Sequence, residues 1–115
     1  MRVKIYHNPR CSKSRQTLQL LKDNNIEPEV VKYLETPPDR EELQRILDML
    51  GLEPRELMRR KEKEYKELGL DDPGLTRDQL IDAMVEHPRL IERPIVVKDG
   101  RAAIGRPPEK VLELL

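Results

Sequence analysis

Hydrophobic positions change period several times along the chain, and each change marks an element. Val3 and Ile5 alternate with Lys4 and Tyr6, and the run stops at Asn8-Pro9. That pattern predicts a short strand closed by a turn. From Cys11 to Lys22, Leu18 and Leu21 stand three apart with Leu20 beside them. Such spacing predicts a helix packed on one face. Asp23-Asn24-Asn25 ends it, because Asn tolerates the left-handed cap conformation. Pro28-Glu29-Val30-Val31-Lys32-Tyr33-Leu34 is a second β-like run. Strand, helix and strand in this order form a βαβ unit with a right-handed crossover.

Thr36-Pro37-Pro38 then breaks the chain. Asp39, with Glu42 three residues on, reads as a capping-box-like helix start. Leu43, Ile46, Leu47 and Leu50 follow helical spacing, and Gly51 closes that helix. A shorter helix is expected from Pro54 through Leu57 and Met58. Residues 59–72 are dense in charge and read as a mostly solvated segment. Thr76 and Gln79 form a second capping box before Leu80, Ile81, Met84 and Val85, and Pro88 ends the helical block. Pro94-Ile95-Val96-Val97 is a third β-like run. Asp99-Gly100 between apolar segments signals a hairpin, with Ala102-Ala103-Ile104 as the return strand. Gly105-Arg106-Pro107-Pro108 leads to an expected final helix, Glu109 to Leu115. The expected fold class is α/β: β-α-β, a helical insertion over about residues 36–92, then β-β-α.

Composition sharpens this outline. A chain of 115 residues forms one domain, and two independent cores would not fit. Hydrophobic residues make up 37%, below the roughly 45–50% of an average globular domain. With no Trp, no Phe and three Tyr, the core must be aliphatic. Cys11 is the single cysteine, so neither an intramolecular disulfide nor a structural zinc site on cysteines is available, and no metal is expected. No apolar run approaches the roughly 20 residues of a membrane span, and the start lacks a signal peptide's apolar stretch. A cytoplasmic, reducing setting is the expectation.

Charge points to the chemistry. Lys plus Arg and Asp plus Glu both total 22, so the formal net charge is zero and a uniformly basic nucleic-acid binder is disfavoured. The zero is a cancellation. Residues 1–22 hold six cations and no acid, and residues 93–115 hold five cations and three acids, which leaves −8 on residues 23–92. Cys11 lies in the acid-free segment, after a strand and at a helix start. The unsatisfied N–H groups there favour an anion such as a thiolate. Arg10, Lys13 and Arg15 add positive charge and lower a thiol pKa further. The alternative is a buried Cys acting as a small hydrophobe, which its polar and cationic flanks oppose. His7 is a candidate proton carrier or promoter of the thiolate, and otherwise a structural strand-end residue. His87, before Pro88, reads as structural. Ser12 and Ser14 are candidate hydrogen-bond donors to sulfur or a bound oxyanion, or ordinary helix caps. Arg93-Pro94 forms a second candidate site, and Arg59 and Arg106 stand at helix boundaries. Arginine's fork of donors suits planar and tetrahedral oxyanions.

The ordered segments Tyr6-His7-Asn8-Pro9-Arg10-Cys11-Ser12-Lys13-Ser14-Arg15, Tyr33-Leu34-Glu35-Thr36-Pro37-Pro38, Glu56-Leu57-Met58-Arg59, Tyr65-Lys66-Glu67-Leu68-Gly69-Leu70, Arg93-Pro94-Ile95-Val96-Val97 and Gly105-Arg106-Pro107-Pro108 carry a resemblance. The chain resembles the glutaredoxin-coupled arsenate reductase family, most closely its YfgD-like branch, over essentially its whole length. The resemblance implies a thioredoxin/glutaredoxin-like mixed four-stranded sheet interrupted by the helical insertion. By motif, Cys11 resembles the nucleophile, and Arg59, Arg93 and Arg106 resemble the catalytic, oxyanion-binding arginines. His7 and Arg15 match supporting positions. Ser14 resembles the serine that lowers the thiol pKa through a hydrogen bond, and Pro94 resembles the cis-proline of thioredoxin-like folds. The implied partners are arsenate or a similar oxyanion, glutathione as co-substrate, and glutaredoxin, with no bound cofactor, no nucleic acid, no membrane and a monomeric state. The well-established reductases of that family resemble Cys-Gly-Thr-Ser-Arg at the loop, where this chain has Cys11-Ser12-Lys13-Ser14-Arg15. Two alternatives remain. One is a general glutathione-linked thiol oxidoreductase. The other is a regulator similar to the Spx proteins, whose Cys-x-x-Cys switch has Ser14 at its second position here.

Overall fold

The computed structural model describes residues 2–115. Its order is β1 (Val3–His7), α1 (Ser12–Asp23), β2 (Glu29–Lys32), α2 (Arg40–Leu50), α3 (Pro54–Leu57), α4 (Lys63–Glu67), α5 (Arg77–Glu86), a 3₁₀ turn (Pro88–Leu90), β3 (Ile95–Lys98), β4 (Arg101–Ile104) and a 3₁₀ segment (Pro108–Leu114). The chain divides into two compact units: the residues up to Thr36 with Arg93–Leu115, and Pro37–Glu92.

The first unit is a mixed four-stranded sheet in the order β2-β1-β3-β4. β1 and β2 run parallel, while β1–β3 and β3–β4 are antiparallel. Period-2 alternation explains its core. Val3 and Ile5 of β1 and Val96 of β3 are buried with Leu21 of α1 and Val111 and Leu114 of the last segment. Leu18, Leu20, Ile26 and Ala103 pack around them. Each such aliphatic side chain contributes about 1.5–3 kcal/mol when fully buried. The hairpin forms at Asp99-Gly100, both with positive φ (52° and 74°), as a two-residue turn matched to strand twist requires.

The second unit is helical. Asp39 caps α2 by accepting from the Glu42 N–H, and Gly51 ends that helix in the left-handed conformation at φ 68°. Thr76 and Gln79 form the full capping box of α5. The apolar faces are Leu43, Ile46 and Leu47 of α2, packed on α5 with its Leu80, Ile81 and Met84.

Three local expectations are corrected. β2 stops at Lys32, and Tyr33, only 1% exposed, lies in a turn closed by Glu35 N–H to the Lys32 carbonyl. Residues 59–72 are not merely solvated: they include α4, and Leu70 is buried. The final segment is 3₁₀ rather than an α-helix and begins at Pro108. Its bonds, Lys110 N–H to Pro107 O and Leu115 N–H to Leu112 O, span three residues.

Candidate active site

Strand direction assembles the site. β1 and its loop end where β3 begins and β4 finishes, since Tyr6 pairs with Ile95 and Ile95 with Ile104. Residues 8–11, 93–94 and 105–106 therefore meet at one end of the sheet.

Asn8 shapes the loop. It is buried, and its carbonyl accepts the Cys11 N–H at 3.0 Å. Its Oδ1 accepts the Arg10 N–H at 3.0 Å, and its own N–H donates to Ser14 Oγ at 3.0 Å. A buried residue held by two main-chain bonds and one side-chain bond fixes one loop path. Cys11 thereby becomes the N-cap of α1, with an extended backbone and its carbonyl receiving the Arg15 N–H at 3.0 Å. An N-cap side chain normally accepts from the second or third helical N–H. Sulfur is larger, and no formal cap bond forms, but the N–H groups of Ser14 and Lys13 still favour its anion.

Cys11 is partly exposed. Burial alone raises its thiol pKa. The Ser14 N–H, a hydrogen bond from Arg93, the Lys13 N–H and the charge of Arg106 together outweigh that and hold the thiol below its ordinary value. Arg106 Nη2 lies 3.5 Å from Sγ, and Arg106 Nε donates to the Arg93 carbonyl at 2.9 Å. The Arg93–Pro94 and Arg106–Pro107 bonds are both cis. The Gly105 N–H donates to the Pro94 carbonyl at 2.9 Å. A Cβ on Gly105 would stand 2.5 Å from Thr17 Oγ1 and 2.8 Å from Pro94 Cγ, so only glycine fits between α1 and Pro94. This close approach was not visible in the sequence.

The other candidates fall as follows. Ser14 is fully buried, and its hydroxyl is engaged with the Asn8 N–H and, at 2.6 Å, with His7 Nδ1. What Ser14 offers the sulfur is its main-chain N–H, not the hydroxyl expected from sequence. His7 is 5% exposed; burial first, then the charges of Lys32, Arg15 and Lys22, lower its pKa. Both effects favour the neutral ring. Arg15 donates to the Pro9 carbonyl at 3.0 Å and braces the loop rather than the sulfur. Ser12 is exposed. Arg59 belongs to the helical unit, next to the β-bridge between Met58 and Ile91, with its N–H on the Leu90 carbonyl at 2.7 Å. His87 is the C-cap of α5, where its N–H donates to the Ala83 carbonyl. Among the described residues no group of three His, Cys, Asp or Glu is placed to hold a metal ion, and no helix is long and apolar enough to cross a membrane.

A single thiol with a lowered pKa at a helix start, on a mixed four-stranded sheet whose same end carries the cis Arg93–Pro94 bond, defines a thioredoxin-like protein with one cysteine. The comparisons narrow that class. The ArsC family matches residues 6–114, and the chain belongs to that family. It is 63% identical over 114 residues to YfgD of Escherichia coli strain K12, covering 98% of this chain and 96% of that one. It is 55% identical over 114 residues to an arsenate reductase of Neisseria meningitidis, covering 98% and 97% of the two chains. The solved arsenate reductase from Vibrio cholerae superposes with a TM-score of 0.98 at 61% identity, covering 100% of this chain and 98% of that one.

Proposed function

We propose that this protein is an arsenate reductase in which the Cys11 thiolate attacks arsenate, with glutathione and glutaredoxin as external reductants. The arrangement of Cys11, Arg93 and Arg106 carries the reading: a depressed thiol faces two guanidinium groups, which suits attack by an anion on an anion. Without those cations the two negative charges would repel.

The chemistry balances as follows. The thiolate forms an S–As bond, an As–O bond breaks, and the departing oxygen leaves as water after taking up protons. Reduction of arsenate to arsenite needs two electrons. Two thiols supply them by becoming one disulfide. Cys11 is the only cysteine in the chain, so the other sulfur must come from outside. Glutathione attacks the Cys11 adduct, arsenite leaves, and glutaredoxin reduces the mixed disulfide. Arg93 and Arg106 stabilise charge on the oxyanion. Similarity to proteins named arsenate reductase supports the choice of substrate.

The test is a coupled assay with glutathione, glutaredoxin, glutathione reductase and NADPH. Arsenate should trigger NADPH consumption with the native protein and not with Cys11→Ser. Turnover of the native protein that ignores arsenate would replace this reading with a general glutathione-linked oxidoreductase.

A further inference from the structure

A cleft lies on the β2 side of the Cys11 loop. β1 has β2 on one flank and β3 on the other. Arg93 precedes β3 and Arg106 follows β4, so the arginine pair belongs to the second flank. On the first, β1 and β2 run parallel with His7 opposite Lys32, and both chains leave the sheet at the same end. Crevices beyond the carboxyl ends of neighbouring strands are ready-made places for a ligand. The loop after β1 supplies Pro9 and Arg10 to this one, and the turn after β2 supplies Leu34 and Glu35. With His7 and Lys32 at the strand ends they line a cavity of about 290 Å³. That is the small end of the roughly 300–1,000 Å³ of small-molecule sites. Both walls are fixed. Asn8 Oδ1 accepts the Arg10 N–H at 3.0 Å, and the Lys32 carbonyl accepts the Glu35 and Thr36 N–H groups at 2.9 Å each. Tyr33 is buried within that turn, while Leu34 beside it is 39% exposed.

The charged groups of the cleft are Arg10, Lys32 and Glu35, all exposed. None of these three side chains makes a hydrogen bond or an ion pair among the described residues. A ligand can therefore engage them without breaking an existing pair. Two cations and one carboxylate around the apolar Pro9 and Leu34 complement a small molecule with two carboxylates and one ammonium. Glutathione carries that set. We propose that this cleft binds glutathione, with Arg10 and Lys32 taking its two carboxylates and Glu35 its ammonium group. This rests on the proposed function, which makes glutathione the co-substrate. The dimensions agree. Paired strands lie about 4.8 Å apart, and a tripeptide spans roughly 10 Å at full extension. Arg10 is the residue before Cys11, their Cα atoms about 3.8 Å apart across a trans bond. A tripeptide seated here lies beside the loop that carries the sulfur, on the flank that Arg93 and Arg106 leave open.

The probe is S-methylglutathione, which keeps all three charges and cannot form a disulfide. Titrated by calorimetry into the native protein, it should bind. Arg10→Ala and Lys32→Ala should each weaken binding about two- to fivefold, the worth of an exposed ion pair. Glu35→Gln separates recognition from a general field. If Glu35 holds the ammonium, its loss weakens binding by a similar factor. If the cleft merely attracts anions, removing a negative charge tightens it. N-acetyl-S-methylglutathione lacks the ammonium, so the native protein should bind it more weakly, whereas Glu35→Gln should bind both compounds alike. The three side chains are exposed, and thermal unfolding confirms that each variant is folded. No binding by the native protein, unchanged binding in Arg10→Ala and Lys32→Ala, or tighter binding in Glu35→Gln overturns the inference. Arsenate-dependent turnover is read separately. Binding that follows the three charges without such turnover supports the cleft and sinks the arsenate reading. Turnover with arsenate but no binding of S-methylglutathione overturns the cleft alone.

Discussion

Arg106 is aimed at Cys11 by a second contact: Nη2 lies 3.5 Å from the sulfur while Nε donates to the Arg93 carbonyl at 2.9 Å. The two bonds use two nitrogens of one rigid fork. A lysine carries the charge but cannot make both bonds at that spacing. Arg106→Lys should therefore lose activity nearly as far as Arg106→Ala, on the order of 10²-fold in kcat, the loss typical of one preorganised donor. Arsenate-dependent turnover of both variants checks this. A lysine variant close to native activity would show that charge alone suffices.

The thiol itself gives a more direct reading of the same groups. Burial raises the Cys11 pKa, and the Ser14 N–H, Arg93, the Lys13 N–H and Arg106 overcome it. The rate of alkylation by iodoacetamide should therefore have its midpoint below the free-cysteine value of about 8.5. Its thiolate should persist as pH falls through the range where free cysteine protonates. Arg106→Ala removes one lowering contribution and should move the midpoint up. An unmoved midpoint would assign the depression to the helix N–H groups and Arg93.

These groups were unequally legible in the sequence. Cys11 could be placed because strand alternation ends at Asn8-Pro9 and helical spacing starts at once. The hairpin was legible because Asp99-Gly100 meets the positive-φ demand of a two-residue turn. The meeting of Cys11, Arg93 and Arg106 depends on the pairings Tyr6–Ile95 and Ile95–Ile104, which are long-range and leave no local pattern. The three bonds of Asn8 and the fit of Gly105 are equally invisible, because asparagine and glycine in loops carry many other meanings. The final segment misled for a different reason: its apolar residues Val111 and Leu114 stand three apart, a spacing that α and 3₁₀ helices share.

Gly105 offers a prediction about the frame rather than the chemistry. Its φ is not in the left-handed range, so alanine meets no backbone strain there, only crowding. An added Cβ would stand 2.5 Å from Thr17 Oγ1 and 3.1 Å from Thr17 Cγ2, as well as 2.8 Å from Pro94 Cγ. Thr17 is fully buried, and its hydroxyl donates to the Lys13 carbonyl at 2.8 Å, so it has little room to yield. Gly105→Ala should cost about 1–3 kcal/mol, the usual range for overpacking. Urea unfolding measures it. Thr17→Ala in the same chain removes two of the three clashes and should recover part of the loss, and a strictly additive pair would show that the contact is not the cause.

His7 allows its charge state to be tested through stability. Burial, then Lys32, Arg15 and Lys22, hold its folded pKa below the unfolded value of about 6.5. The unfolded chain therefore binds a proton that the folded chain resists. The stability this contributes is complete above the unfolded value. It is lost as pH falls through about 6.5 and on to the lower folded value. Between about pH 7.5 and about pH 5.5, the native protein should lose more stability than His7→Gln, which has no such proton to take up. Urea midpoints across that range decide it. A histidine that acted as a cation toward the thiolate would need a raised pKa and would give the opposite slope, with stability growing as the solution turned acid. The neutral ring fits its 2.6 Å contact with Ser14 Oγ, where a hydroxyl already accepting from the Asn8 N–H can donate its proton to Nδ1. In that arrangement His7 fixes Ser14 at the third position of α1, and through it the main-chain N–H that faces the sulfur.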